Sequence, residues 1–169
     1  MDPVDTPELD EALTVAPVIG IAVLMKRHRR DADAIAARHG VQVGGRLTTG
    51  VEKRRVVRFP GWHEVVLWLP DRRLLVAADV LGTIGYFLAD DAEPIGVHPL
   101  VRPFPPRRAL RGIAPAAIAV GHGAPITGDA TAAALAAALR TARRRLPQAY
   151  LHAWRMSRRA RARRYSAGR

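Results

Sequence analysis

Three short apolar runs, each closing on a cluster of polar or small residues, constrain this chain more than any other feature. Val18 to Met25 is a continuous apolar run rich in β-branched residues, and its composition predicts a strand buried on both faces. Leu74 to Val80 and Ala116 to Val120 read the same way; the first carries Ala78 and Asp79 at its end, and the second gives way to Gly121, His122, Gly123, Ala124 and Pro125. When buried strands end in polar residues, the carboxyl ends of a sheet become the expected place for a site. These three ends are therefore expected to face one cleft.

The segments between the runs fill in an α/β pattern. After Met25 come Lys26, Arg27, His28, Arg29, Arg30 and Asp31, then an Ala-rich stretch from Ala32 to His39 that predicts a short helix, with Asp31 as N-cap and Gly40 as C-terminal cap. Val41 to Val43 supplies a second short strand and completes a β-loop-α-β unit. Val56 to Phe59, Glu64 to Leu69 and Leu74 to Val80 follow as strands, the last two joined through Pro70, Asp71 and Arg72, a turn signal. Gly82 to Pro106 is too broken by proline and glycine for regular structure, apart from a helical turn near Tyr86 to Leu88. A last helix is expected from about Ala130, capped by Thr127 or Asp129, carrying an apolar stripe of Leu135, Leu139 and Leu146 and stopped by Pro147.

Composition fixes the class. At 169 residues, with apolar residues at 49% and charged residues at 25%, the chain suits one soluble domain able to bury roughly 70% of its unfolded surface. No apolar run reaches the roughly 18 residues a bilayer span needs. Met1 to Glu11 holds acids and no basic n-region, so the expectation is no secretory signal and a cytoplasmic address. The chain has no cysteine, so any metal would be held by imidazole and carboxylate. The formal net charge of +12 suggests nucleic acid, yet no acid follows Asp129 while arginines crowd the chain from Arg140 to Arg169. The expected division is a domain over 1–148 and a basic, loosely attached tail over 149–169.

Read in order, three segments resemble the metallo-β-lactamase-fold hydrolases. "IGIAVLMKRHRRDADAIAARHGVQV", residues 19 to 43, looks like the strand, His-rich loop and helix that carry that family's His-x-His-x-Asp-His motif. "VVLWLPDRRLLVAADVL", residues 65 to 81, resembles the hairpin ending in the metal-bridging Asp, and "AVGHGAPITG", residues 119 to 128, resembles the segment of the last His ligand. The resemblance implies an α/β, αββα-like sheet sandwich with flanking helices, lacking part of the amino-terminal sheet. It puts Asp31 in the catalytic place of the motif's Asp, and Asp79, His122, His63 and His28 as candidate metal ligands for one divalent ion, zinc, manganese or iron, or for none. In such a site the metal makes hydroxide available near neutral pH and polarises the scissile group.

The motif is degenerate. With Asp31 laid on the family's Asp, Arg27, Arg29 and Ala32 stand where imidazoles belong; Trp62 follows Pro60 and Gly61, with His63 one step late; Ala78 precedes Asp79 in place of Gly. Each candidate also has a plainer reading: Asp31 as a helix cap, Asp79 as an acceptor for loop amides, His28 as a surface group, His63 as a side chain that simply faces the same cleft. Only His122, between two glycines, lacks one. The expected function is a weak or inactive metal-dependent hydrolase of ester, lactone or phosphoester bonds. The alternatives are a non-catalytic module in which Arg27, Arg29 and Arg30 bind a small anion, or nucleic-acid binding through the tail. An open sheet edge would also suit a homodimer.

Overall fold

The computed structural model describes residues 5–44 and 49–167. Two β-rich segments form a mixed α/β fold around a five-stranded sheet. Its strands are β1 (Glu52–Phe59), β2 (Trp62–Leu69), β3 (Leu74–Val76), β6 (Ala117–Ala119) and β7 (Ile126–Thr127), neighbours in that order. β3 and β6 run parallel and the other pairs antiparallel. A separate ribbon joins β4 (Leu81–Gly82) to β5 (Gly96–Val97). The helices are α1 (Pro7–Leu13), α2 (Ala32–His39), α3 (Thr131–Thr141) and α4 (Leu146–Ala167).

The strongest strand signal in the sequence gives the least strand. Within Val18 to Met25 only two isolated bridges form, Ile21 to Val43 and Met25 to Glu64; Leu24 and Met25 are buried while Ile19 is 72% exposed. The sheet explains this. β3 covers only Leu67 to Leu69 of its β2 edge, and the remaining half accepts Leu24 and Met25 at the end of the run, with the Val65 amide donating to the Leu24 carbonyl at 3.0 Å. The earlier part of the run has no such edge beside it. Val43 likewise makes a bridge rather than a strand.

The helix before Gly40 forms as expected, with Gly40 in the left-handed region at φ +64°. Asp31 occupies the N-cap place but makes no capping bond; its Oδ2 instead accepts from the Asp5 amide at 2.9 Å. α1 went unread in the sequence. Thr6 caps it by accepting from the Leu9 amide, and Arg38 of α2 pairs with Asp5 and Asp10, which fastens the acidic amino-terminal segment to α2.

The core lies between the sheet and α3, where Val66, Leu75, Ile118 and Leu135 are almost fully removed from water. α3 begins after Ala130 with no side-chain cap, so neither Thr127 nor Asp129 plays that part, and it ends at Thr141. Pro147 does not stop it. Proline sits near the first position of α4, where its missing N–H costs nothing. The expected boundary after residue 148 thus falls inside one continuous helix. Its first turns are seated: Ala149 is buried, and Met156 and His152 lie against Gly85.

The segment from Gly82 to Pro106 is held by a buried ion pair. Arg102 is inaccessible to water and donates to the carbonyls of Val97 and Phe87 and, at 3.0 Å, to Glu93 Oε2. Glu93 accepts also from the Ala89 amide and faces Arg145 at 3.6 Å. One guanidinium thus ties together Phe87, Glu93 and Val97 in a segment with little regular structure of its own.

Candidate functional site

The polar ends of the three runs meet at Asp79. β3 and the parallel β6 deliver Asp79 and His122 side by side, and His122 Nε2 lies 3.1 Å from Asp79 Oδ1. From the end of the Leu24–Met25 segment, a single 3-10 turn over Lys26–His28 brings in two further groups: Arg27 lies 3.4 Å and His28 3.5 Å from Asp79 Oδ2. The Asp79 side chain is only 10% exposed, whereas those of Arg27 and His122 are 53% and 45% exposed. One carboxylate is thus surrounded by three nitrogen groups, two of which reach solvent.

Glu64 builds the turn that presents Asp79. It is fully buried; its Oε1 accepts from the amides of Ala78, Asp79 and Val80 at 3.2, 3.0 and 2.9 Å, and its Oε2 accepts from the Trp62 indole at 3.0 Å. Burial pushes the carboxyl above its ordinary value against the pull of these donors. Sequence reading placed Glu64 merely at a strand's start. The signal was its phase, because it shares the buried face with Trp62, Val66 and Trp68.

The glycines beside His122 are required by contact. The Gly121 amide donates to the Ala78 carbonyl, and a Cβ there would fall 2.9 Å from that oxygen; a Cβ on Gly123, at φ +105°, would fall 2.1 Å from Thr83 Oγ1. Thr83 closes the loop, its amide donating to the His122 carbonyl and its hydroxyl to that of Ala124. The His122 ring stacks on Phe87. Arg27 lies 5.5 Å above the Trp62 ring, within cation–π range. His98 packs edge-on among Trp62, Tyr86 and Phe87 and accepts from the Leu100 amide through Nδ1; burial holds its imidazole down to about 4.

Of the sequence candidates, Asp79, His122 and His28 come together. Asp31 is engaged with Asp5, and His63 lies on the opposite face of β2 from Glu64, cross-strand from Arg58. The metal ion implied by the resemblance does not fit this arrangement. A protein site for such an ion takes three or more carboxylate and imidazole donors with lone pairs directed at it. Here both Asp79 oxygens already face nitrogen groups, and the permanently charged Arg27 guanidinium stands at 3.4 Å, where it repels a second cation. Among the described residues no group of three or more His, Asp or Glu side chains is arranged to hold a metal.

What the cluster can do follows from its parts. With Asp79 ionised, His122 donates from Nε2, which leaves Nδ1 as the proton acceptor. The exposed side of the Arg27 guanidinium presents donors to an anion. Among the described residues no helix is long and apolar enough to cross a membrane. Compared with models of known protein families and with curated protein sequences, the chain matches none, so these residues and contacts carry the functional argument.

Proposed function

We propose that this chain is a metallo-β-lactamase-type domain that binds a small carboxylate or phosphate, with the guanidinium of Arg27 taking the place of the metal ion. The observation that carries the proposal is the ring of Arg27, His28 and His122 around the single carboxylate of Asp79. The half-exposed guanidinium of Arg27 suits an oxyanion, since Arg forks match carboxylate and phosphate geometry. The sandwich fold and the αββα relationship rest on the order of the three strand-end segments and are part of the same proposal.

Calorimetric titration with inorganic phosphate tests it. Saturable binding is expected, weakened about tenfold or more in Arg27→Gln, a loss of about 1.4 kcal/mol. Absence of binding, or equal binding in that variant, would overturn it.

The Asp79–His122 contact favours a second reading, metal-free hydrolysis of an ester. A carboxylate that fixes the tautomer of a histidine makes it a general base. Turnover of p-nitrophenyl acetate that persists with chelator and disappears in His122→Ala would support that reading over simple binding.

A further inference from the structure

On the other face of the sheet lies a second feature that the Asp79 site does not use. Strand residues alternate between faces, so Arg55 and Arg58, three apart, belong on opposite sides of a regular β1. The ladder between β1 and β2 slips: Arg55 pairs with Val65 and Val57 with Glu64, leaving Val56 as an extra residue. This bulge resets the phase and brings Lys53, Arg55 and Arg58 to one face, opposite Leu67, Val65 and His63 respectively. Lys26 approaches the same face from the Leu24–Met25 segment, on the other side of β2.

These side chains line a groove of about 490 Å³ floored by Leu24 and Val65. Among the described residues none of Lys26, Lys53, Arg55 and Arg58 has an acid partner. Glu64 borders the groove, but its carboxylate is buried and engaged with the turn at Asp79. Arg54, in the opposite phase, pairs with Glu52 and donates to the carbonyl of Arg111, so the strand separates neutralised from free cations by face.

We infer that this groove binds the phosphate backbone of a single-stranded nucleic acid. The cations stand in a line and do not converge. From Lys53 to Arg58 the partner strand advances four residues, about 13 Å, with one cation at about every second step. A lone phosphate meets one or two of these groups; a chain of phosphates meets them all. Besides its cations the groove offers aliphatic side chains and the single imidazole of His63, with no Trp, Tyr or Phe in its lining, so recognition is of backbone and tolerant of sequence.

The test is the salt dependence of binding of a labelled oligothymidylate of about 12 nucleotides to the full chain. Each phosphate neutralised on a single strand contributes a slope of about −0.7 in log K against log salt. The triple variant Lys53→Gln, Arg55→Gln, Arg58→Gln is expected to bind more weakly and to lose about 2 from the slope. Should it fail to fold, Arg55→Gln alone is expected to lose about 0.7. A variant that folds and keeps the affinity and slope of the parent would overturn the inference and assign binding to the arginines of α4. Failure of the parent chain to bind at low salt would overturn it as well.

Discussion

Replacing Glu64 by alanine removes the side chain that ties β2 to the Asp79 turn. The substitution strips three main-chain amides and one indole N–H of their acceptor inside the core. An unsatisfied buried donor costs about 1–3 kcal/mol. Water entering the vacated space recovers part of that loss. A net destabilisation of about 3–5 kcal/mol is expected, in the range for breaking a buried charged network. Glu64→Gln keeps the shape and one acceptor oxygen but turns an NH2 toward donors, so about 1–3 kcal/mol is expected. Urea denaturation followed by circular dichroism resolves both, as midpoint shifts of about 1–2 M with an ordinary m-value. The sign with pH is also fixed. Because its folded pKa is raised, Glu64 keeps its proton longer in the fold than in the unfolded chain. Its contribution is therefore full at low pH and is lost as pH rises through the raised value. Glu64→Gln removes that slope. A Glu64→Ala protein within about 1 kcal/mol of the parent would refute the reasoning, since the amides would then have another partner.

His98 works in the opposite sense: with its imidazole held down to about 4 against an ordinary 6.5, the unfolded chain takes up a proton that the fold refuses. Stability is expected to fall by about 2 kcal/mol as pH drops through that window, after allowance for the ring's partial exposure, and His98→Phe to flatten the thermal-melt profile. Arg102→Met leaves Glu93 buried beside the broken pair and is expected to cost about 3–5 kcal/mol by urea titration. The double variant with Glu93→Leu should recover part of that loss, and no recovery would mean that the carbonyl bonds of Arg102 dominate.

Legibility in the sequence followed locality. The β2–β3 hairpin, the second half of β1, β6, α2 and its Gly40 cap were readable because turn chemistry and short-range periodicity determine them. The Val18–Met25 run misled because β-propensity describes a segment's fitness for a sheet and not whether an edge is open to it. Pro147 was ambiguous for a similar reason, being compatible with the end of one helix or the start of the next. At the site, Asp79 and His122 stood out through strand-end position and flanking glycines. Glu64, Arg102 and the Val56 bulge did not, since a buried charge shows its purpose only through partners distant in the chain.

Zinc titration of the chelator-treated chain, followed by calorimetry, tests the central claim most directly. With Arg27 beside Asp79, the parent chain is expected to take up far less than one equivalent, while Arg27→His, which removes the fixed charge and adds an imidazole near His28 and His122, is expected to gain zinc affinity. Tight binding of one or more equivalents by the parent chain, lost in both Asp79→Ala and His122→Ala, would contradict the account and identify the cluster as a metal centre.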